Sequence, residues 1–558
     1  MVRRVFNFMY KEVRGLHQAA YILALFAIGS QILAVVRDRL LAHLFGAGPE
    51  LDLYYAAFRI PDLMYVLFAS VLSVYVLLPF VSRYTEEGGS DAGAKVIEQV
   101  FTLFLMFYSA IALVLALTAS LYVPWLFPGF LEQAGQLSVL VQILMFQAFL
   151  LGISSLCGVI TQIGHRFVLY AISPLLYNLS IIFGVVVLYP AFGLSGLVVG
   201  VVLGAFLHLL IQIPFVLRSE YRFGIAKAFD WKLMREVLSV SIPRAFTLSL
   251  NQIVLLVLTS IASTMVAGSV SVFQFALNLQ SVPLVVIGMS YSVAAFPTLS
   301  TLLAKKKMHE FQHQLLTALR HIIFWAVPMT ALVIVLRAQI VRVLLGSGAF
   351  DWGDTRLTAA ALALFVISLV AQAILLLVIR AFYAGGHTII PLVVSVLSAG
   401  VSLGLAFFFH TIYFTNMFFK SFIEQSFRLE GVVGTEILVL VLAFTIGQFL
   451  QLIILLFWSA KVYGVNYLRL WRLLLESLTA AVAGGFSAYA ALLFVVDGIN
   501  QNTFIGITLQ GLVAGVMGLT AVILVYRVLR AEELFEIYRS FHSRIFKTDI
   551  IAPQPDTL

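Results

Sequence analysis

The chain has 558 residues, 62% of them hydrophobic and 11% charged, with a mean hydropathy of +1.04 and a formal net charge of +8. A soluble domain carries about 25% charged residues, so this composition cannot cover a folded core against water, and soluble and disordered classes are excluded. Backbone groups in hydrocarbon must bond internally, and the alternating pattern of a barrel is absent, which predicts an all-α polytopic membrane protein.

From the N-terminus, Arg3, Arg4, Lys11 and Arg14 precede the first apolar run. That run is too long for a signal peptide and lacks a small-residue cleavage site, so it reads as a retained span. Runs of about 20 apolar residues, each able to cross a core of roughly 30 Å, recur to the end of the chain. They predict about 14 spans, near 16–36, 60–81, 98–122, 137–162, 167–189, 192–217, 237–262, 270–298, 315–345, 357–383, 388–414, 432–460, 470–496 and 502–526. With the N-terminus in the cytoplasm, the inside segments hold Arg83, Lys95, Arg166, the basic stretch from Arg218 to Arg244, Lys305 to Lys307, Arg320, Arg380, Lys461, Arg469 and Arg472. The outside loops near Pro128, Pro190, Val266 and Ile499 carry no Lys or Arg. This asymmetry places both termini in the cytoplasm and explains most of the positive charge as topology, with no nucleic-acid partner.

Three groups of basic residues oppose the pattern: Arg37, Arg39 and Arg59; Arg337, Arg342 and Arg356; Lys420 and Arg428. An ionisable group at membrane depth costs at least ~2.5–3.5 kcal/mol and normally faces a cavity or a partner. The alternative for Arg37 and Arg39 is snorkelling to the far headgroups, with Asp38 as local partner.

An internal repeat follows the same order. Ala47-Gly48, aromatics with Ala56, Pro61 and Pro79-Phe-Val-Ser82 recur as Ala267-Gly268, aromatics with Ala276, Pro283 and Pro297-Thr-Leu-Ser300. A parallel repeat six spans apart predicts two six-helix lobes around a central cavity, the arrangement of an alternating-access transporter. The N-lobe would cover 1–217 with spans one to six, a cytoplasmic linker 218–236, and the C-lobe 237–461. Two extra C-terminal helices would occupy 462–526, ahead of a cytoplasmic tail over 527–558. The tail pairs Leu534, Phe535, Ile537, Tyr538 and Phe541 with basic residues and reads as a surface helix or a solvated tail.

Polar side chains concentrate on spans one, two, seven and eight, where Pro61, Pro79, Pro243, Pro283 and Pro297 are expected to bend helices. They are Ser30 and Gln31, Ser70 and Ser73, Asn251 and Gln252, and Gln274, Asn278 and Gln280. Each alone reads equally well as an interhelical hydrogen bond. Cys157, the one cysteine, lies inside a span as a small apolar residue, and His165, His321 and His410 read as interfacial. No phosphate-binding loop, spaced metal-ligand set or paired carboxylates within one span appear, so an enzyme is not expected.

The stretch "SQILAVVRDRLLAHLFGAGPELDLYYAAFRIPDL" (Ser30–Leu63) resembles the N-terminal signature of the MurJ (MviN) lipid II flippases, within the multidrug/oligosaccharidyl-lipid/polysaccharide exporter superfamily. "RFVLYAISPLLYNLS" (Arg166–Ser180), "SIPRAFTLSLNQI" (Ser241–Ile253), "GSVSVFQFALNLQSVP" (Gly268–Pro283), "FPTLS" (Phe296–Ser300) and "RAFYAGGHTIIP" (Arg380–Pro391) extend the likeness in order to about residue 400. The resemblance implies transport of an undecaprenyl-pyrophosphate-linked peptidoglycan precursor from the inner to the outer leaflet of the bacterial cell membrane. It thereby implies a role in cell-wall biogenesis and cell shape.

The resemblance also implies that Arg37 binds the headgroup, with Asp38, Asp52 and Arg59 as neighbouring charged positions; Arg380 is added as a neighbouring cation of this chain's own. Ser30, Gln31, Gln252 and Asn278 complete the candidate site. Spans thirteen and fourteen would form a groove for the lipid tail. Implied partners are the lipid-linked precursor, membrane lipids and cell-wall synthesis proteins, with the flippase itself a monomer. No cofactor is implied beyond a coupling ion, for which Asp38 or Asp52 is a candidate, or the membrane potential, worth ~2.3 kcal/mol per charge per 100 mV. The family commonly carries arginine where this chain has Gln31, Tyr65 and Asn278, and glutamate where it has Ser70. The alternatives are a flippase of another lipid-linked saccharide, a drug antiporter of the same superfamily, or a transport-inactive scaffold with the same fold.

Overall fold

The computed structural model describes residues 16–71, 74–164, 166–219, 224–226, 228–495, 503–536 and 539. Among these every regular element is helical and none is a strand. Among the described residues, ten helices are long and apolar enough to cross a membrane, or eleven if Trp352–Ile367 and Leu369–Ala384, bent by 42°, form one span. The count of fourteen is not reached by length and apolarity alone, and neither 16–36 nor 60–81 is among the helices that qualify; two features of the chain bear on the difference. Phe167–Val216 is one 50-residue apolar stretch, yet it turns at Gly193 (φ 60, ψ −148) and its arms, Phe167–Phe183 and Tyr189–Leu210, pack together. Expected spans five and six both lie within it. The second expected span, 60–81, runs through residues 72–73, outside those described. Elsewhere boundaries agree closely, as for Ala134–Ile163, Ile389–Thr415 and Phe504–Val528.

The chain divides into two compact units. The first contains Met1–Leu277, Leu344–Ala361 and Thr388–Gly447. In it the Leu16–Phe45 helix packs on Phe167–Phe183, and Arg59–Val71 packs on Trp231–Ser263. Asp230 starts the latter helix by accepting from the Lys232 and Leu233 amides, the usual role of an acidic residue before a first turn. Pro243 sits inside that helix without breaking it.

The second unit contains Asn278–Val343, Leu362–His387 and Gln448–Leu558. Here Trp471–Ala490 packs against Phe504–Val528. A Cβ on Gly484 would stand 2.4 Å from Val522, so the small residue lets the two backbones close up, as in membrane helix pairs generally. The Tyr526 hydroxyl lies 2.8 Å from the Phe324 carbonyl and 3.0 Å from Ser477 Oγ. Just beyond, Arg320 bonds Glu533 and Glu532, so the start of the tail is docked rather than free in solvent. Ile537, Tyr538 and Phe541 lie outside the described residues. Of the expected proline bends, that at Pro283 is followed at once by a π turn, Val285–Met289. Removing a backbone donor frees a carbonyl, and a widened turn is one way to accommodate it.

Candidate functional site

Ser30 and Arg37 lie seven residues apart on Leu16–Phe45, two turns along one face. The Arg37 side chain is 20% exposed. Its Nε and Nη2 donate to Asp38 Oδ1 at 2.9 and 2.7 Å, and Nη1 donates to Asn178 Oδ1 at 3.1 Å. Asn178, on Phe167–Phe183, donates from Nδ2 to Ser30 Oγ at 3.1 Å. The guanidinium is thus held between its sequence neighbour and a second helix, and it turns inward within the unit. Asp38 offsets the cost of a cation at this depth, and three of the five guanidinium N–H groups are engaged. The other two have no partner among the described residues and are donors for anionic oxygens.

Asp52 and Arg59 do something different. The short helix Pro49–Ala57 carries Asp52, which is 1% exposed. Its Oδ2 accepts from the Gly268 amide at 2.6 Å, and its Oδ1 accepts from the Ser271 amide at 2.7 Å and Ser271 Oγ at 2.6 Å. Asp52 therefore caps the N-terminus of Ser269–Leu284, where an anion is favoured by both the open amides and the helix dipole. Burial pushes its carboxyl up to about 6, against the pull of the Ser271 and Gly268 bonds. One turn further into that helix, Gln274 Oε1 accepts from Arg59 Nη2 at 2.7 Å.

Close main-chain contact accompanies the cap. Gly268 has φ +94, and a Cβ there would stand 2.1 Å from the Ala47 carbonyl oxygen. The Ala47 amide donates to Asp354 Oδ2 at 3.0 Å, and the Ala349 amide donates to the His43 carbonyl at 2.9 Å. A cavity of about 410 Å³ lies at this junction, lined by Ala47, Gly268, Ser269, Asp354 and the Gly431–Gly434 segment among others.

Of the other sequence-derived residues, Gln31 and Gln252 are half-buried in the first unit. Tyr65 OH lies 3.3 Å from Ser155 Oγ. Asn278 and Arg380 belong to the second unit. There the Asn278 carbonyl accepts from Ser281 Oγ at 2.6 Å, and Arg380 Nη2 lies 3.0 Å from Met289 Sδ. Ser73 is outside the described residues. Among those described, no group of three His, Cys, Asp or Glu is placed to hold a metal.

Sequence reasoning passed over Asn178 and Ser271. Asn178 is an amide in an otherwise apolar helix, a costly placement that signals a partner. Ser271 sits in Gly268-Ser-Val-Ser271, a helix-start pattern, but nothing local names the acid that would meet it.

Residues 41–510 match the family model described as lipid II flippase MurJ. The chain is 26% identical over 497 residues to a probable lipid II flippase MurJ of Buchnera aphidicola subsp. Acyrthosiphon pisum, covering 81% of this chain and 96% of that one. It is 27% identical over 393 residues to the Rhizobium tropici counterpart, covering 68% and 73%. Among solved structures, lipid II flippase MurJ in an inward closed conformation matches with TM-score 0.70 and 22% identity, over 91% of this chain and 99% of that one. An inward-facing multidrug resistance MATE family transporter of the MOP superfamily matches at TM-score 0.62 and 14% identity, over 78% and 94%. Both structural likenesses concern the fold.

Proposed function

The chain belongs to the lipid II flippase MurJ family, and on that premise we propose that it carries undecaprenyl-pyrophosphate-linked peptidoglycan precursor from the inner to the outer leaflet by alternating access. The family is one of transporters, and no catalytic role is assigned. The observation that carries the headgroup reading is the Arg37 fork, neutralised by Asp38, oriented by Asn178 and left with two unengaged N–H groups. A pyrophosphate would compete with Asp38 for the guanidinium. Exchange of one charge-assisted partner for another keeps the guanidinium satisfied when cargo binds and when it leaves, as a carrier that must release its cargo requires. The polyprenyl tail stays in lipid.

Asp52 and Arg59 serve the transport cycle in another way. Their bonds to Gly268, Ser271 and Gln274 join the segment after the first span to the start of the eighth. If the lobes are 1–217 and 237–461, these bonds hold one side of the transporter shut and must break for it to open there. The protein resides in the bacterial inner membrane with both termini cytoplasmic, and an interior-negative potential favours outward movement of the anionic headgroup by ~2.3 kcal/mol per charge per 100 mV.

A second reading keeps the superfamily and changes the saccharide. Tyr65 is committed to Ser155 and Gln31 is uncharged, so the cavity is less cationic than the family pattern implies. Complementation of a bacterium depleted of its own lipid II flippase separates the readings. Rescue by the wild type that Arg37→Ala abolishes supports lipid II transport. Failure of a well-expressed wild type to rescue rejects it and leaves the other saccharide or the scaffold.

A further inference from the structure

The connection between Ile389–Thr415 and Ile437–Tyr463 contains an eleven-residue helix, Met417–Phe427, that is too short to cross a membrane. It begins at Asn416, whose extended backbone breaks the preceding span and whose Oδ1 accepts from the Phe418 and Phe419 amides. The break is therefore built in. At about 100° per residue, Phe418, Phe422, Phe419, Ile423 and Phe427 share one half of the helix with Ser426, and Lys420, Glu424, Ser421 and Gln425 share the other with Met417. The protein covers only part of the apolar half. Ile423 is buried and Phe419 stacks on Phe409 at 5.9 Å, but Phe418 is 81% exposed and Phe422 60%. The polar half is also fixed: Glu424 Oε1 accepts from Thr435 Oγ1 at 3.1 Å, and Lys420 Nζ lies 3.9 Å from the same atom.

Water does not suit such a surface, and the neighbouring helix supplies the alternative. Ile389–Thr415 is a membrane-spanning candidate whose most apolar window is only 28% buried, with Phe407, Phe408 and Phe414 exposed along it. Phe418 and Phe422 stand just past the end of that lipid-facing band, on a helix held against it. We propose that Met417–Phe427 lies in the membrane surface where the eleventh expected span ends. Phe418 and Phe422 enter the acyl region, and Lys420 and Glu424 stay in water. The partner is the lipid bilayer itself, in the leaflet that the charge pattern assigns to the outside. A half-apolar helix with cationic and acidic residues on its other half is the general form of an interfacial helix, and it gives Lys420, one of the basic residues that oppose the charge pattern, a place in water at the membrane surface.

The test uses the full chain in nanodiscs of phosphatidylethanolamine and phosphatidylglycerol, with no other protein present. Phe418→Cys, Phe422→Cys and Lys420→Cys each carry a nitroxide label. The wild type, whose one thiol at Cys157 is buried, is the blank. Labels at 418 and 422 should collide more with oxygen, which concentrates in acyl chains, than with a water-soluble nickel chelate. At 420 the preference should reverse. Chelate access at 418 and 422 as high as at 420 would overturn the proposal and reassign the aromatic flank to a protein partner. Two labels on one flank report independently, so misfolding of a single variant does not decide the outcome.

Discussion

Gly268→Ala tests the junction around Asp52 most directly, because the structure sets its cost. The new Cβ would stand 2.1 Å from the Ala47 carbonyl oxygen, whereas ordinary contact begins at 3.4 Å, so one main chain must move by about 1.3 Å. A left-handed backbone, here φ +94, adds ~1–2 kcal/mol for an L side chain. The displaced Gly268 amide would lose its 2.6 Å bond to Asp52, worth ~1.5–3 kcal/mol for a charged acceptor. The sum is ~2.5–5 kcal/mol. Gly431→Ala is the matched control, since Gly431 has φ +76 but no atom within 4 Å of the place its methyl group would take. It should cost only the backbone strain, ~1–2 kcal/mol. Unfolding midpoints of the two variants in nanodiscs give the difference. Maleimide labelling of Val272→Cys, a buried position beside the cap, should be faster in the Gly268→Ala than in the Gly431→Ala background by roughly tenfold or more. Equal midpoints and equal labelling for the two glycine variants would refute the steric and cap argument.

Further outcomes follow from the other contacts. Arg37→Lys should fail to rescue a flippase-depleted strain about as completely as Arg37→Ala while expressing normally, because a point ammonium cannot reproduce the fork to Asp38 and Asn178. Asp52 is raised from 3.8 to about 6 in the assembled junction, so the assembled state holds more protons between those values. Its contribution is fully present below about 4 and is lost as pH rises through 6. The wild type should therefore gain stability over Asp52→Asn as pH falls from 7.5 to 5, and a constant gap in melting temperature would contradict this. Arg320→Ala strands the Glu533 carboxylate, which is 2% exposed, and should cost ~3–5 kcal/mol. Glu532→Ala removes a largely exposed partner of the same arginine and should cost no more than ~1 kcal/mol. Paired unfolding curves distinguish the two.

The helical membrane class was legible because lipid leaves a chain so few options: long apolar runs, basic residues on alternate loops and internal backbone bonding. Proline was a partial guide. Pro283 precedes a π turn while Pro243 is absorbed into a continuous helix, and the difference depends on what packs around each carbonyl. Within the opening charged stretch, sequence could group Arg37, Asp38, Asp52 and Arg59 but could not divide their work. Arg37 meets Asn178, 141 positions away, and Asp52 meets Ser271, 219 positions away. Those pairings are products of helix packing, and no local periodicity encodes them. Asn178 lay within a matched motif, yet its partner emerged only when two helices were seen side by side.

The π turn at Val285–Met289 has a consequence for insertions and deletions. Such a turn accommodates one more residue than an α-helical turn, so everything after it in Ser290–Ala304 is rotated by about 100° relative to an uninterrupted helix. Ser292, whose Oγ donates to the Leu376 carbonyl at 2.7 Å, depends on that offset. Straightening the turn at full length would carry Ser292 about 100° off its acceptor, whereas deleting a single residue between 285 and 289 would remove the residue the turn absorbs and leave an unbroken α-helix with Ser292 still facing Leu376.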